Sequence, residues 1–471
     1  MKQNLLNIDY EWLTKETGDP FADVGGYVIK YLSQIYPEKN ILELIEFAAK
    51  LYVNNWKVKP IYTFFPNSKI TLPNFKGEDK IKKTVEHYSD LINEKKNFQF
   101  GFCRLSGRKA NLFSTGKDEF IMAGSGDFVN FHHFFQNGLM LSKEIIIRMF
   151  FIPLGVEQLF NKMALSYSND KEITEIFIKN NFDINIHNIS IGLDQKIKKS
   201  EFNNPANALF EYARYAIRSL NGRKNVSIQL YHFTNFNQGP EINLYNFPAP
   251  LFNFYKNCLS PNFEKDWQEF VNRYYHPNKD YKNAVYNPKK SNFELVTKDN
   301  NEFINHDIYK TWYNPIYQKL INSESILKDI LYYSEKGSKF DFRLVTYYQT
   351  YIRKMEHKTL EKIKELAEFI ISSDDNDKIK KAITRLNLAK RSFELRMFLL
   401  TLIKENFNKG NKKPLITIEE YVEYLFPDGT IWSEIRDLLL IAIYQKLHEK
   451  NISFEIEIPE TELETIKEEL L

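Results

Sequence analysis

Apolar positions along this chain follow two periods, and the balance between them changes past its middle. Over residues 9–60, Ile41, Leu44, Ile45, Ala48, Leu51 and Tyr52 recur at helical spacing and predict helices. Residues 78–96 predict another. Between them, Ile61 to Phe65 and Lys69 to Leu72 read as strand segments broken by prolines. Ile184 to Ile186, Val226 to Leu230 and Ile242 to Tyr245 also read as strands. The last two flank the polar stretch Thr234 to Pro240, which predicts a hairpin. Asn204 to Leu220 predicts a helix. Residues 276–305 are rich in Asn, Lys and Asp and predict a long connection. From Ile308 to Lys450 strand signals nearly vanish. Ile379, Ile383, Leu386, Phe393, Met397 and Leu400 form one helical stripe, and Ile435, Leu438, Leu439, Ala442 and Leu447 another. The expected class is α+β: a mixed N-terminal α/β domain over 1–305, then a C-terminal all-α bundle of four or five helices over 306–471.

Composition narrows the class. The 471 residues carry a net charge of only +3, so any nucleic-acid site must be a local basic groove. Aromatic residues make up 15% of the chain, enough for base stacking, although a filled core accounts for most of them. Two cysteines, Cys103 and Cys258, exclude a disulfide framework and a four-cysteine zinc site. The opening residues show no apolar signal region, and no apolar run reaches the roughly 20 residues that span a bilayer. A cytoplasmic protein without membrane contact is the expectation.

Enzyme signals are weak. Phosphate-binding glycine loops, a nucleophile elbow and a His-Glu-x-x-His zinc motif are all missing from the sequence. His132-His133 has no acidic neighbour at metal spacing. No catalytic residue, metal ligand or cofactor is therefore assigned. Basic residues offer more. Lys378, Lys380, Lys381, Arg385, Lys390, Arg391 and Arg396 lie within twenty positions. At about 100° per residue, Lys380, Lys381, Arg385, Arg391 and Arg396 fan across the face opposite the apolar stripe, which suits phosphate tracking. Lys381, Arg385, Arg391 and Arg396 are the backbone-contact candidates there. Arg104, Arg108 and Lys109, with Arg218 and Arg223, are the candidates in the N-terminal half. Amide-rich loops accompany them: Asn130, His132, Gln136 and Asn137 in one, Asn235, Asn237 and Gln238 in the other. Asn and Gln read base edges, although Asn is equally a turn residue.

Between Asn97 and Asp170, Cys103 is followed by Ser106-Gly107, then small residues, then an apolar run ending in Pro153-Leu154-Gly155. This order resembles a degenerate zinc ribbon, with Ser106 standing where a second cysteine would be. Together with Gly18-Asp19-Pro20-Phe21 to Gly26, Tyr231 to Asn235, Tyr245 to Pro248, Leu425 to Gly429 and Trp432 to Tyr444, it resembles the large subunit of type I-B CRISPR Cascade, of the Tneap-type family. Read for itself, the Gly18 to Gly26 opening is a helix start capped by Asp19 or Asp23, with Gly25-Gly26 admitting another backbone.

The resemblance implies a non-enzymatic subunit with crRNA, target double-stranded DNA, the Cascade backbone and small subunits, and a helicase-nuclease as partners. The N-terminal domain would then meet the crRNA 5′ region and read the protospacer-adjacent motif (PAM), promoting duplex opening. The bundle, resembling the small subunit, would hold the displaced strand while guide pairing reads the rest of the sequence. Without the cysteine pairs, packing of Phe113, Phe131, Phe134 and Leu139 is expected to take over the metal's part in folding. Related systems make the small subunit by internal initiation, and Met355 opens a stretch of suitable size. The alternative is a stand-alone metal-dependent nuclease of an antiviral defence system.

Overall fold

The computed structural model describes residues 1–121, 123, 138–192, 196–220, 222–236, 239–296, 301–336, 340–373, 375–427 and 431–452. The chain divides into two compact units, Met1–Pro248 and Ala249–Leu471. The class is α+β: helices mixed with antiparallel sheets in the first unit, a mainly helical second. Among the described residues no helix is long and apolar enough to cross a membrane.

The first unit contains α1 (Pro20–Ile35), α2 (Ile41–Lys50), α3 (Glu78–Ile92), β1 (Gln99–Phe102), β2 (Lys109–Thr115), β3 (Leu139–Ser142), α4 (Lys143–Phe151), β4 (Glu157–Leu159), β5 (Lys162–Ser168), α5 (Lys171–Ser190), α6 (Pro205–Ser219), β6 (Ile228–Phe236) and β7 (Gly239–Phe247). Two antiparallel sheets run in the orders β1-β2-β3 and β4-β5-β6-β7. The expected hairpin is β6–β7, with Tyr231 opposite Leu244.

At the centre lies α4, buried along its whole length. Its Arg148 is fully enclosed and pairs with Asp23 of α1 at 3.1 Å. The guanidinium also donates to the carbonyls of Ala22 (2.8 Å) and Lys15 (2.7 Å). The Asp23 carboxylate accepts from the Thr17 and Gly18 amides, the Thr17 hydroxyl and Tyr167. Every polar partner in this buried pair is therefore supplied, as a desolvated pair requires. The opening motif thus works structurally. Asp19 caps α1 by accepting from the Ala22 amide, and Pro20 occupies its first turn. A Cβ on Gly25 would collide with the Arg148 carbonyl, and one on Gly26 with its guanidinium. The two glycines let α1 and α4 meet backbone to backbone.

Two strand expectations fail here. Residues 60–75 form a short 3₁₀ turn (Lys59–Thr63) and further turns, because Pro60, Pro66 and Pro73 withhold ladder donors. Ile184 to Ile186 lies inside α5, where Asn185 is buried and donates to the Leu154 and Val156 carbonyls at 3.0 Å. That interior partner makes an apparent strand alternation compatible with a helix. The ribbon-like region is a tight turn between β1 and β2. The Cys103 amide donates to the Arg108 carbonyl (2.8 Å), and Gly107, at φ +65°, donates back to Cys103 (2.9 Å). Cys103 is buried, and its Sγ accepts from the Ser142 amide at 3.4 Å. Phe113 is buried and Leu139 packs against the core; Phe131 and Phe134 lie outside the described residues.

The second unit contains α7 (Ala249–Cys258), α8 (Glu264–Arg273), β8 (Ala284–Asn287), β9 (Asn292–Val296), β10 (Asn301–Ile304), α9 (His306–Tyr309), α10 (Pro315–Ile321), α11 (Leu327–Glu335), α12 (Phe342–Tyr351), α13 (His357–Ile371), α14 (Asn376–Asn387), α15 (Ser392–Asn408) and α16 (Trp432–Glu449). The compact unit begins at Ala249, not near residue 306. Aromatic packing explains this. Phe254 of α7 meets Tyr348 of α12 at 5.7 Å, and Phe270 of α8 meets Phe340 and Tyr333 at 5.0 and 5.3 Å. The expected connection over 276–305 contains a three-stranded sheet, β10-β9-β8. Phe293 anchors it against Trp312 at 5.1 Å and Tyr309 at 5.2 Å, apolar support that a polar sequence conceals.

The stripe from Ile379 to Leu400 does not run through one helix. The chain breaks between α14 and α15, where Glu394 accepts from the Lys390 and Arg391 amides at 2.6 and 2.9 Å. Arg436 of α16 donates to the Ala389 carbonyl at 2.7 Å and holds the break. Ile379, Ile383 and Leu386 are buried as expected. Phe393, Met397 and Leu400 are 68%, 40% and 51% exposed, because α15 starts in a new phase and buries Leu395, Phe398, Leu399 and Leu402. The α16 stripe is buried at all five expected positions.

Candidate nucleic-acid interface

The break that upsets the stripe also builds a groove. After it, α15 folds back along α14, and the two helices with the end of α13 enclose about 430 Å³. Lys378, Lys381 and Arg385, spaced three and four apart on α14, line one wall. Lys409, at the end of α15, faces the same space. Phe369, Ile370, Ala382, Phe398 and Leu402 supply apolar lining, and among the described residues Glu405 is the one lining carboxylate. Two of the cations rest on rings. Arg385 lies 5.6 Å from the Phe398 centroid and donates to Thr401 Oγ1 at 3.1 Å, and Lys409 lies 4.6 Å above Phe369. Among the described residues, none of the four has a carboxylate within ion-pair distance. Among the described residues these four charges have no ion-pair partner, which makes the groove a candidate site for a polyanion, since such cations suit phosphates without reading sequence.

The structure thus brings Lys381 and Arg385 together and adds Lys378 and Lys409. Lys409 was missed because its sequence distance from the basic run conceals its place; only the return of α15 brings it back. Arg391 and Arg396 do not line the groove. Arg391 precedes α15 and is exposed, and Arg396 lies 4.9 Å from the Phe426 ring centroid.

In the first unit the basic candidates are dispersed. Arg108 pairs with Asp9 at 2.7 Å, lies 3.7 Å from Glu144 and stacks over Trp12. Arg223 pairs with Glu172 and lies 3.5 Å from Asp170. Both guanidinium groups are spent on local carboxylates. Arg104 is exposed at the β1–β2 turn, Arg218 is exposed on α6, and Lys109 is exposed 5.2 Å from the Phe102 centroid. Asn235 sits on β6, 4% exposed, and its side-chain nitrogen has no hydrogen-bond partner. Asn130, His132, Gln136, Asn137, Asn237 and Gln238 lie outside the described residues. A feature with no sequence warning is the pair Phe100 and Phe102, 72% and 62% exposed on β1.

The groove coincides with a stretch that is similar to a known family. Residues 333–470 match the family described as the DevT C-terminal domain. The DevT-like stretch runs from the end of α11 through α16 and contains all four groove cations. No curated protein matches the chain.

Proposed function

We propose that the chain is a non-enzymatic, cytoplasmic subunit of a CRISPR Cascade-type complex and acts as its large subunit. The DevT-like C-terminal stretch supports a Cascade-related role, since DevT is a Cascade-associated protein. The groove of α13, α14 and α15 is the observation that carries the nucleic-acid part. In this reading Lys378, Lys381, Arg385 and Lys409 hold the phosphates of the displaced DNA strand while guide pairing supplies sequence recognition. The first unit inspects the PAM in duplex DNA and promotes opening. crRNA, the Cascade backbone and small subunits, and a helicase-nuclease are the partners.

The test is single-strand binding across a salt series. Each lost phosphate contact lowers the slope of log affinity against log salt by about 0.7 for single strands. Alanine at Lys378, Lys381, Arg385 and Lys409 together is expected to flatten the slope by two to three such steps. Alanine at Arg391 and Arg396 is expected to change it by less than one. An unchanged slope in the quadruple variant rejects the groove. Magnesium-dependent cutting of DNA by the purified chain would favour the stand-alone nuclease.

A further inference from the structure

The outer face of α15 is apolar although the helix already buries an inner one. Leu395, Phe398, Leu399, Leu402 and Asn406 are buried. Phe393, Met397 and Leu400 lie exposed, and Phe407 joins them at 78%. Ile403, between Leu400 and Phe407, is partly exposed. A helix that is apolar on two faces is normally enclosed on both. None of these five outer residues lines the cationic groove, whose α15 wall includes Phe398, Leu402, Glu405 and Lys409. The order of residues on the outer face says what covers it. Counted from Leu400, a phenylalanine stands seven positions away on each side (Phe393 and Phe407). An apolar residue stands three away on each side (Met397 and Ile403), and a cation four away (Arg396 and Lys404). Seven residues are nearly two turns, so Phe393, Leu400 and Phe407 fall along one line about 10 Å apart. The pattern reads the same in both directions.

We propose that α15 pairs antiparallel with α15 of a second copy of this chain, with the two-fold axis at Leu400. Two identical helices related in this way set each position against its mirror position, so apolar must answer apolar. Leu400 meets Leu400 of the second copy, and Phe393 meets its Phe407. Met397 and Ile403 close the seam on its two flanks. Arg396 and Lys404 stay at the rim, with their aliphatic stems over the seam and their charges in water. Both grooves remain open in the pair, because no seam residue lines them. The inference does not depend on what the groove binds.

The experiment uses the full chain. Sedimentation equilibrium between about 1 and 100 μM, where a modest interface dissociates, is expected to show a mass rising from one chain towards two. The rise is expected to persist in about 1 M salt, because screening leaves apolar contacts intact. Leu400→Glu sets two like charges on the axis and is expected to weaken the dimer at least tenfold. Melting of the dilute single chain is expected to stay unchanged, since Leu400 is half exposed there. Cysteine linkage tests the register. Under mild oxidation Leu400→Cys is expected to give a disulfide-linked pair, because only a residue on the axis meets its own mate. Phe393→Cys alone is expected not to link, its mate lying about 20 Å away along the helix. An equal mixture of Phe393→Cys and Phe407→Cys is expected to link. The native Cys103 and Cys258 are buried and do not compete. A single-chain mass at every concentration, without linkage through Leu400→Cys, overturns the inference and leaves the face to a helix of another protein. A dimer that Leu400→Glu does not weaken uses another surface and also overturns it. Linkage by Phe393→Cys alone shows a parallel pair and overturns the antiparallel register. The cysteine variants decide by themselves if Leu400→Glu fails to fold.

Discussion

At the residue scale, Asp23 and Arg148 decide whether the first unit forms. Both are almost completely buried, and each answers the other's charge. Removing one partner leaves the other charged in a low-dielectric interior, which costs about 3–5 kcal/mol. Asp23→Ala is therefore expected to lose most of the first unit's stability in urea unfolding, whereas exposed Lys50→Ala on α2 is expected to change it by less than about 0.5 kcal/mol. Gly25→Ala tests the close approach. Its Cβ meets the Arg148 carbonyl, and moving two packed backbones apart costs about 3 kcal/mol. A melting temperature unchanged by Gly25→Ala would mean that α1 and α4 separate without cost. A helix start with Asp19 or Asp23 as its cap was legible in advance, because capping is local, and the structure chose Asp19. The partner of Asp23 was not, because Arg148 is 125 residues away.

At the element scale, α11 and α16 pack together, and a carboxyl is caught nearby. Burial, with a further push from Asp437, raises Glu335 of α11 to about 7, against an ordinary value of 4.5; Lys336 and Arg436 moderate the rise. Its folded pKa lies above its unfolded one, so the folded state binds the proton more tightly. This contribution is fully present below pH 4.5 and is lost as the pH rises towards 7. Denaturant unfolding of the second unit is expected to weaken over that window by about 1–2 kcal/mol on this account. Glu335→Gln is expected to remove that part of the slope; a profile of identical shape would show that Glu335 titrates normally. The α14–α15 break belongs to the same scale. A period counted through it placed Phe393, Met397 and Leu400 on the buried stripe and Arg391 and Arg396 on the basic face. Glu394 and Arg436 end that phase, and the break creates the groove that the continuous helix could not have had.

At the scale of the whole molecule, the second unit includes α7 and α8 as well as the later helices. α11 and α12 both pack on α16, and Phe254 and Phe270 bind α7 and α8 to α12, Phe340 and α11. Met355 lies in the connection between α12 and α13, so a product beginning there retains α13 to α16 but loses the cover of α16. Expressed alone, residues 355–471 are expected to bind a hydrophobic dye and melt without a sharp transition, while residues 249–471 melt cooperatively. A cooperative melt of the shorter fragment would make Met355 a workable internal start.

The sequence by itself determined what depends on near neighbours. Helices with unbroken periods, the capped helix start at Asp19 or Asp23, the helix from Asn204, the β6–β7 hairpin and the α16 stripe follow from local backbone chemistry and from burying one face. It also marked the basic run that contains Lys378, Lys381 and Arg385. Tertiary structure decided what depends on long-range partners. Arg108 and Arg223 read as free cations until folding set carboxylates against them. The polar stretch 276–305 acquired a sheet because Phe293 found Trp312 and Tyr309. Lys409 joined the groove only when α15 turned back along α14. Charge and periodicity are properties of a segment; compensation and enclosure are properties of the fold, because the groups that supply them lie far away along the chain.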